Sequence, residues 1–238
     1  MKHIFSALFL LLLLPNCQSQ LEPSMDDGFS YHFGDDYQEM ITFLSESLNK
    51  HHPNLDFRPE LGLGRTEDIK GLEEIAAFNI AIGYFQSIDL YGNEVGDSPS
   101  KYRPIFRRAQ AAGLRLKAHI GEFSTAEAVR QTVEELELDE VQHGIGAAQS
   151  SEVMAWLARQ RIPLNICPTS NVKLGAVPNM KTHPIRVLAD HGVIVTINTD
   201  DVLIFGNTLS QEYLALYEAQ VFSANELDLL RKRAIRKN

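Results

Sequence analysis

The chain has 238 residues, 44% of them apolar, and a formal net charge of −9. That is length enough for one large domain with a substantial core. The acidic balance carries no basic footprint over the whole chain and excludes an extended nucleic-acid surface. The basic cluster from Arg231 to Lys237 reads as the solvated, dipole-complementing end of a helix.

Residues 1–20 read as an export leader. Lys2 supplies the positive start, Ile4 to Leu14 is an apolar run of the right length, and Pro15 breaks it. That run is short for a membrane-spanning helix. Its ending, Leu14-Pro15-Asn16-Cys17, resembles a loose bacterial lipoprotein box, so Cys17 is the expected lipid-anchor site. The expected location is exported, either periplasmic or anchored to the membrane. Residues 21–34 are rich in Pro, Ser, Asp and Gly without an apolar period and read as a linker. Cys17 and Cys167 sit in unrelated contexts, which implies no disulfide framework, and Cys167 reads as a buried, inert thiol.

The main domain is expected over residues 35–238. Apolar residues near helical spacing predict a helix over 35–50, capped by Asp35 or Asp36. Strands are then expected at 55–57, 84–90, 115–119, 140–143, 162–167 and 193–198. Helices fill the gaps, at 66–79, 101–112, 125–136, 151–160, 183–190, 209–219 and 226–236. Six strand-helix units with no long antiparallel stretch predict a parallel α/β fold. In such folds the C-terminal ends of the strands carry the chemistry. Periodicity leaves an open doubly wound sheet and a (β/α) barrel equally admissible.

Polar motifs fall at those strand ends. Lys117-Ala118-His119-Ile120-Gly121-Glu122 places an imidazole three residues before a carboxylate, a pair able to bind a metal and to shuttle a proton. His143, between Gln142 and Gly144, projects from another strand tip; a satisfied structural histidine is the alternative reading. Asn198-Thr199-Asp200-Asp201 sets two carboxylates side by side, a repulsion that a bound cation relieves. An aspartate pair capping a turn accounts for the same residues. Gly92, after Ser87 to Tyr91, is a candidate for close approach of a ligand to the backbone.

These segments, with Cys167-Pro168-Thr169-Ser170-Asn171 and more weakly Phe57 to Gly62, resemble in order and spacing the active-site strands of the adenosine deaminase family. The resemblance runs from about Leu55 to Leu230. It implies a (β/α) TIM-type barrel of which about six of eight units are present, and hydrolytic deamination of a purine such as adenosine. It implies Zn2+ as cofactor, with His119 and Asp200 as metal ligands. Glu122 becomes the proton donor to the ring, and His143 the group that orients the attacking hydroxide. Asp201 positions water and purine, and Gly92 contacts the substrate. Ser170 and Asn171 are expected to shape the barrel rim.

The family's first strand carries two zinc-binding histidines separated by a single intervening residue, and no two of the eight histidines here have that spacing. His32 is a weak candidate for a substitute. The chain is therefore expected to be a truncated relative whose open sheet edges favour self-association. A non-catalytic purine-binding or interaction protein built on the deaminase scaffold is the alternative function, and a fragment without a stable fold is a third reading.

Overall fold

A computed structural model describes residues 37–51, 53 and 56–235. The leader, Cys17, the linker and His32 lie outside the described residues. Helix α1, Tyr37–His51, precedes six strand-helix units. The strands are β1 Glu60–Gly64, β2 Ser87–Tyr91, β3 Arg115–Ile120, β4 Glu140–His143, β5 Leu164–Ile166 and β6 Val195–Ile197. Between and after them run α2 Ile69–Ile82, α3 Arg103–Ala111, α4 Ala126–Leu136, α5 Ser151–Gln160, α6 Pro168–Lys173, α7 Ile185–Asp190, α8 Val202–Phe205, α9 Leu209–Glu218 and α10 Ala224–Ile235. No described helix is long and apolar enough to cross a membrane.

All strand pairs are parallel, and the sheet order is β1-β2-β3-β4-β5-β6. A doubly wound sheet reverses its strand order at a switch point. Here neighbours in sequence are neighbours in space throughout, as in the wall of a TIM-type barrel. Among the described residues β1 and β6 each have a single strand partner.

Alternation along the strands separates two rows. Leu63, Leu90, Ala118, Val141, Leu164 and Val195 pair across all six strands in register, and every one is buried in the core. The adjacent row, His119, Gln142, Asn165 and Thr196, is polar and equally in register. Its side chains satisfy one another: Thr196 Oγ1 donates to Asn165 Oδ1 at 2.8 Å, and Asn165 Nδ2 donates to Glu140 Oε2 at 2.8 Å. Further down the same face, Lys117 Nζ and Ser87 Oγ both lie 2.6 Å from Glu60 Oε2. A polar group buried without a partner costs about 1–3 kcal/mol, so this lattice is what makes a charged inner face tolerable.

Turn chemistry sets the helix ends. Asp68 accepts from the Gly71 N–H at the start of α2, Thr125 from the Ala128 N–H at α4, and Thr208 with Gln211 forms a reciprocal capping box at α9. At the end of α10, Arg231 and Lys232 both pair with Asp228, so that part of the basic cluster is a solvated helix face.

The first strand is a correction. Leu55 lies outside the described residues, Asp56 and Phe57 are not in a strand, and the strand is Glu60–Gly64, past Pro59. Two glycines weaken its β propensity, yet they have a packing reason, because a Cβ on Gly62 would meet the Tyr91 ring at 3.2 Å. The segment after Cys167 is also helical (α6) from Pro168 onward. Leu164 occupies the centre of the apolar row and is fully buried. Leu164→Ala should cost about 2–5 kcal/mol, whereas Leu214→Ala on the exposed face of α9 should change stability by less than about 0.5 kcal/mol. Urea midpoints of the two variants check the contrast.

Candidate active site

Four of the expected site residues, His119, Glu122, His143 and Asp200, come together at the C-terminal ends of β3, β4 and β6, while Gly92 lies past β2 and Asp201 caps the helix after β6. His119 sits on β3 in the polar row, with Nδ1 2.8 Å from Asp89 Oδ2 on the neighbouring strand β2. Asp89 is completely buried. Burial by itself would lower the His119 pKa; the charge of Asp89 beside it overrides this and raises it. A carboxylate on one ring nitrogen fixes the tautomer and makes the other nitrogen the metal-binding one.

His143 closes β4, where strict alternation would pair it with Ile120 in the apolar row. Its φ of 60° places it in the left-handed region, a conformation that costs of order 1 kcal/mol for a residue with a side chain. Its ring centroid lies 5.1 Å from that of His119, and its Nε2 lies 3.9 Å from Asp200 Oδ2. Burial, followed by the charge of His119, pushes its pKa down to about 3. The imidazole is neutral at physiological pH.

Gly121 lets the chain turn out of β3 so as to present Glu122. Its φ is 80°, and a Cβ there would meet Val129 Cγ2 at 2.4 Å. The turn is pinned by Glu94, whose carboxylate accepts from the Gly121 and Phe123 N–H groups and from Ser124 Oγ. Glu122 Oε1 accepts from Asn171 Nδ2 at 2.6 Å and lies 3.6 Å from His143 Nδ1. Burial lifts its carboxyl to about 7, with the charge of Asp200 acting in the same direction.

Asp200 follows β6 with φ 59°, again left-handed. Its Oδ2 accepts from Ser170 Oγ at 2.6 Å and its Oδ1 from the Asp201 N–H at 2.9 Å. Asp201 starts α8, and its Oδ1 accepts from the Leu203 and Ile204 N–H groups. The turn-capping reading of the aspartate pair therefore holds for Asp201, while Asp200 faces the histidines. Gly92 lies just past the tip of β2, exposed, with φ 102°; a Cβ there would lie 3.6 Å from the Arg65 backbone nitrogen.

His143, Cys167 and Asp200 each offer one ligand atom within 4.8 Å of the others, which makes a possible His/Cys/Asp metal site. Burial holds the Cys167 thiol well above its ordinary pKa, so it is the poorest donor of the three. Five contributors escaped sequence reasoning or were underrated. Asp89, Glu94 and His183 were not singled out. Ser170 and Asn171 were given a rim role, yet they bond directly to Asp200 and to Glu122 and His143. The only sequence signal for them was the Ser-Asn pair following Cys167-Pro168-Thr169.

The family model for adenosine deaminase matches residues 61–238. The chain belongs to the adenosine deaminase family. A Treponema pallidum (strain Nichols) protein provisionally named adenosine/adenine deaminase is 40% identical over 192 residues, 81% of this chain and 64% of that one. An adenine deaminase of Cupriavidus necator is 30% identical over 82% of this chain and 56% of its own length. The crystal structure of adenine deaminase from Arthrobacter aurescens superposes with a TM-score of 0.76 at 28% identity, covering 83% of this chain and 60% of that one. The chain thus spans about three fifths of the length of these relatives.

The state of Glu122 gives a stability test. Its carboxyl titrates at 4.5 when unperturbed and at about 7 in the fold. Between those values the unfolded chain has released a proton that the folded chain retains, so stability falls as pH rises from 4.5 to 7 and is level above. Glutamine does not titrate. Glu122→Gln should match the wild type near pH 4.5 and exceed it by about 1–3 kcal/mol above pH 7. Denaturant midpoints at pH 5 and pH 8 read the difference, and a pH-independent gap would contradict the raised carboxyl.

Proposed function

We propose that this chain carries the catalytic strand ends of a zinc-dependent deaminase of 6-aminopurines, adenine or adenosine among them. In that reaction water adds at C6, the amino group departs as ammonia, and an oxo-purine remains. The observation that carries the reading is an inverted pair of buried groups joined by Asn171: a carboxyl raised to about 7 beside an imidazole lowered to about 3. Near neutral pH the carboxyl, and not the imidazole, is the group poised to hold and give up a proton. Glu122 donates it to the purine ring, as a general acid should.

His119 and Asp200 are the residues we assign to the metal, with Asp89 orienting His119 from behind. Bound zinc would supply Lewis acidity and lower the pKa of the attacking water. The two further histidines that the family resemblance implies are not among the described residues. His143 orients the water; Asp201, which caps α8 through Oδ1, positions water and purine through its other oxygen, and exposed Gly92 admits the substrate against the backbone. The adenine deaminases among the relatives favour the free base as substrate.

A second reading, a purine-binding protein without turnover, is favoured by the ligand set, since only His119 and Asp200 of the implied zinc ligands are described. We also assign residues 1–20 to export, with Cys17 as lipid anchor, and the edges of β1 and β6 to self-association. Recovery wholly in the cytosolic fraction would remove the first of these, and a monomer by sedimentation the second.

The deciding experiment measures ammonia release from adenine and adenosine by zinc-supplemented full-length protein, alongside calorimetric binding. Turnover is expected, with Glu122→Gln lowering it by about 100-fold or more while purine binding persists. Binding without ammonia would establish the second reading instead.

A further inference from the structure

One hydrogen-bond chain behind the site has its direction fixed from one end. The Ile185 backbone N–H, which can only donate, lies 3.1 Å from His183 Nδ1. His183 Nδ1 is therefore the acceptor, and the neutral ring carries its proton on Nε2. Burial keeps that ring neutral, with its pKa lowered to about 4. His183 Nε2 in turn lies 3.3 Å from Asn171 Oδ1 and donates to it. This contact decides which end of the Asn171 amide points where.

With Oδ1 turned to His183, Nδ2 faces the site, 2.6 Å from Glu122 Oε1 and 3.1 Å from His143 Nδ1. An amide nitrogen has two hydrogens and accepts nothing. Both neighbours must accept. His143 Nδ1 is then unprotonated, and the proton of its neutral ring sits on Nε2, the nitrogen nearer Asp200. Glu122 Oε1 likewise accepts from Asn171, which makes Oε2 the better place for a proton on that carboxyl.

We infer that His183, acting through Asn171, is a positioning residue that sets the tautomer of His143. Asn171 is fully buried, and His183 and His143 are each 2% exposed, so bulk water does not offer the amide an alternative. A flipped amide would set N–H against N–H at His183. His143 therefore meets the reacting water as a hydrogen-bond donor. The inference rests on the deaminase reading only for its effect on turnover; the tautomer itself does not require it.

The test records imidazole ¹⁵N shifts of histidine-labelled full-length protein at pH 7 without added zinc or purine. In the wild type, His143 and His183 should each show a protonated Nε2 and an unprotonated Nδ1. His183→Phe, which fills the space but cannot donate, should convert His143 to a tautomer mixture. His183→Gln, whose amide nitrogen takes the place of Nε2–H, should restore the single form. Where ammonia release is measurable, His183→Phe should lower kcat by about 10–100-fold, in line with the loss of supporting partners at other sites, and leave KM nearly unchanged. A wild-type His143 protonated on Nδ1, or a folded His183→Phe that keeps the Nε2–H form, overturns the inference. If His183→Phe does not fold, Asn171→Ala puts the same question, and retention of the Nε2–H form there also overturns it. Intact tautomers with no ammonia released count against the deaminase reading alone.

Discussion

Parallel pairing of six strands in unbroken sequence order imposes one constraint on everything else: the polar ends of the strands must share one rim and one face. Registers that put Leu63 opposite Leu90, and so on to Val195, put His119 opposite Gln142, Asn165 and Thr196 one row along. The apolar row holds the helices against the sheet. The polar row cannot be left bare, and it is satisfied by internal pairs such as Thr196 with Asn165 and Lys117 with Glu60. A one-residue slip in any strand would exchange the two rows and bury the wrong set, so the register that builds the core is also the register that assembles the site.

His143, at the end of β4, breaks that alternation, and Asp200, just past β6, shares its left-handed backbone. His143 and Asp200 have φ near +60° without being glycine. By row alone, His143 would point with Ile120 among the helices; the left-handed backbone instead brings its ring to His119, Asn171 and Asp200. Backbone strain of this kind persists where surrounding contacts over-determine it. Here those contacts are Asn171 on His143, and on Asp200 the Ser170 hydroxyl and the Asp201 N–H. The strain and the polar contacts are one arrangement.

Much of this was legible in the sequence, for physical reasons that can be named. β2 to β6 announce themselves as β-rich runs of the kind a parallel sheet buries on both faces, and the residues with distinctive chemistry, His119, Glu122, His143 and Asp200, stand at their ends. β1 was misplaced because glycines at 62 and 64 suppress the strand signal, and the reason for them, the ring of Tyr91, is tertiary. Asn171 and His183 were unreadable for a related reason. Asn171 reaches Glu122 across 49 positions and His143 across 28, and an asparagine in a turn-like run is ordinary until its partners are known. Strand order, which periodicity left undecided, was implied by the family resemblance and is fixed by the pairing.

The electrostatic outcome follows from burial acting with opposite sign on acids and bases. Removing water disfavours charge, so Glu122 rises to about 7 and His143 falls to about 3, reversing the usual order of the two groups. His119 escapes because Asp89, with no solvent access of its own, lies against its Nδ1 and outweighs desolvation. A carboxyl that holds its proton up to about pH 7, a neutral imidazole and a carboxylate-backed imidazole thus coexist in one desolvated space. Asn171 is compatible with only the first two in the forms described, since its single amide nitrogen donates to both. The division of labour between proton donor and hydrogen-bond donor is therefore set by packing before any ligand arrives.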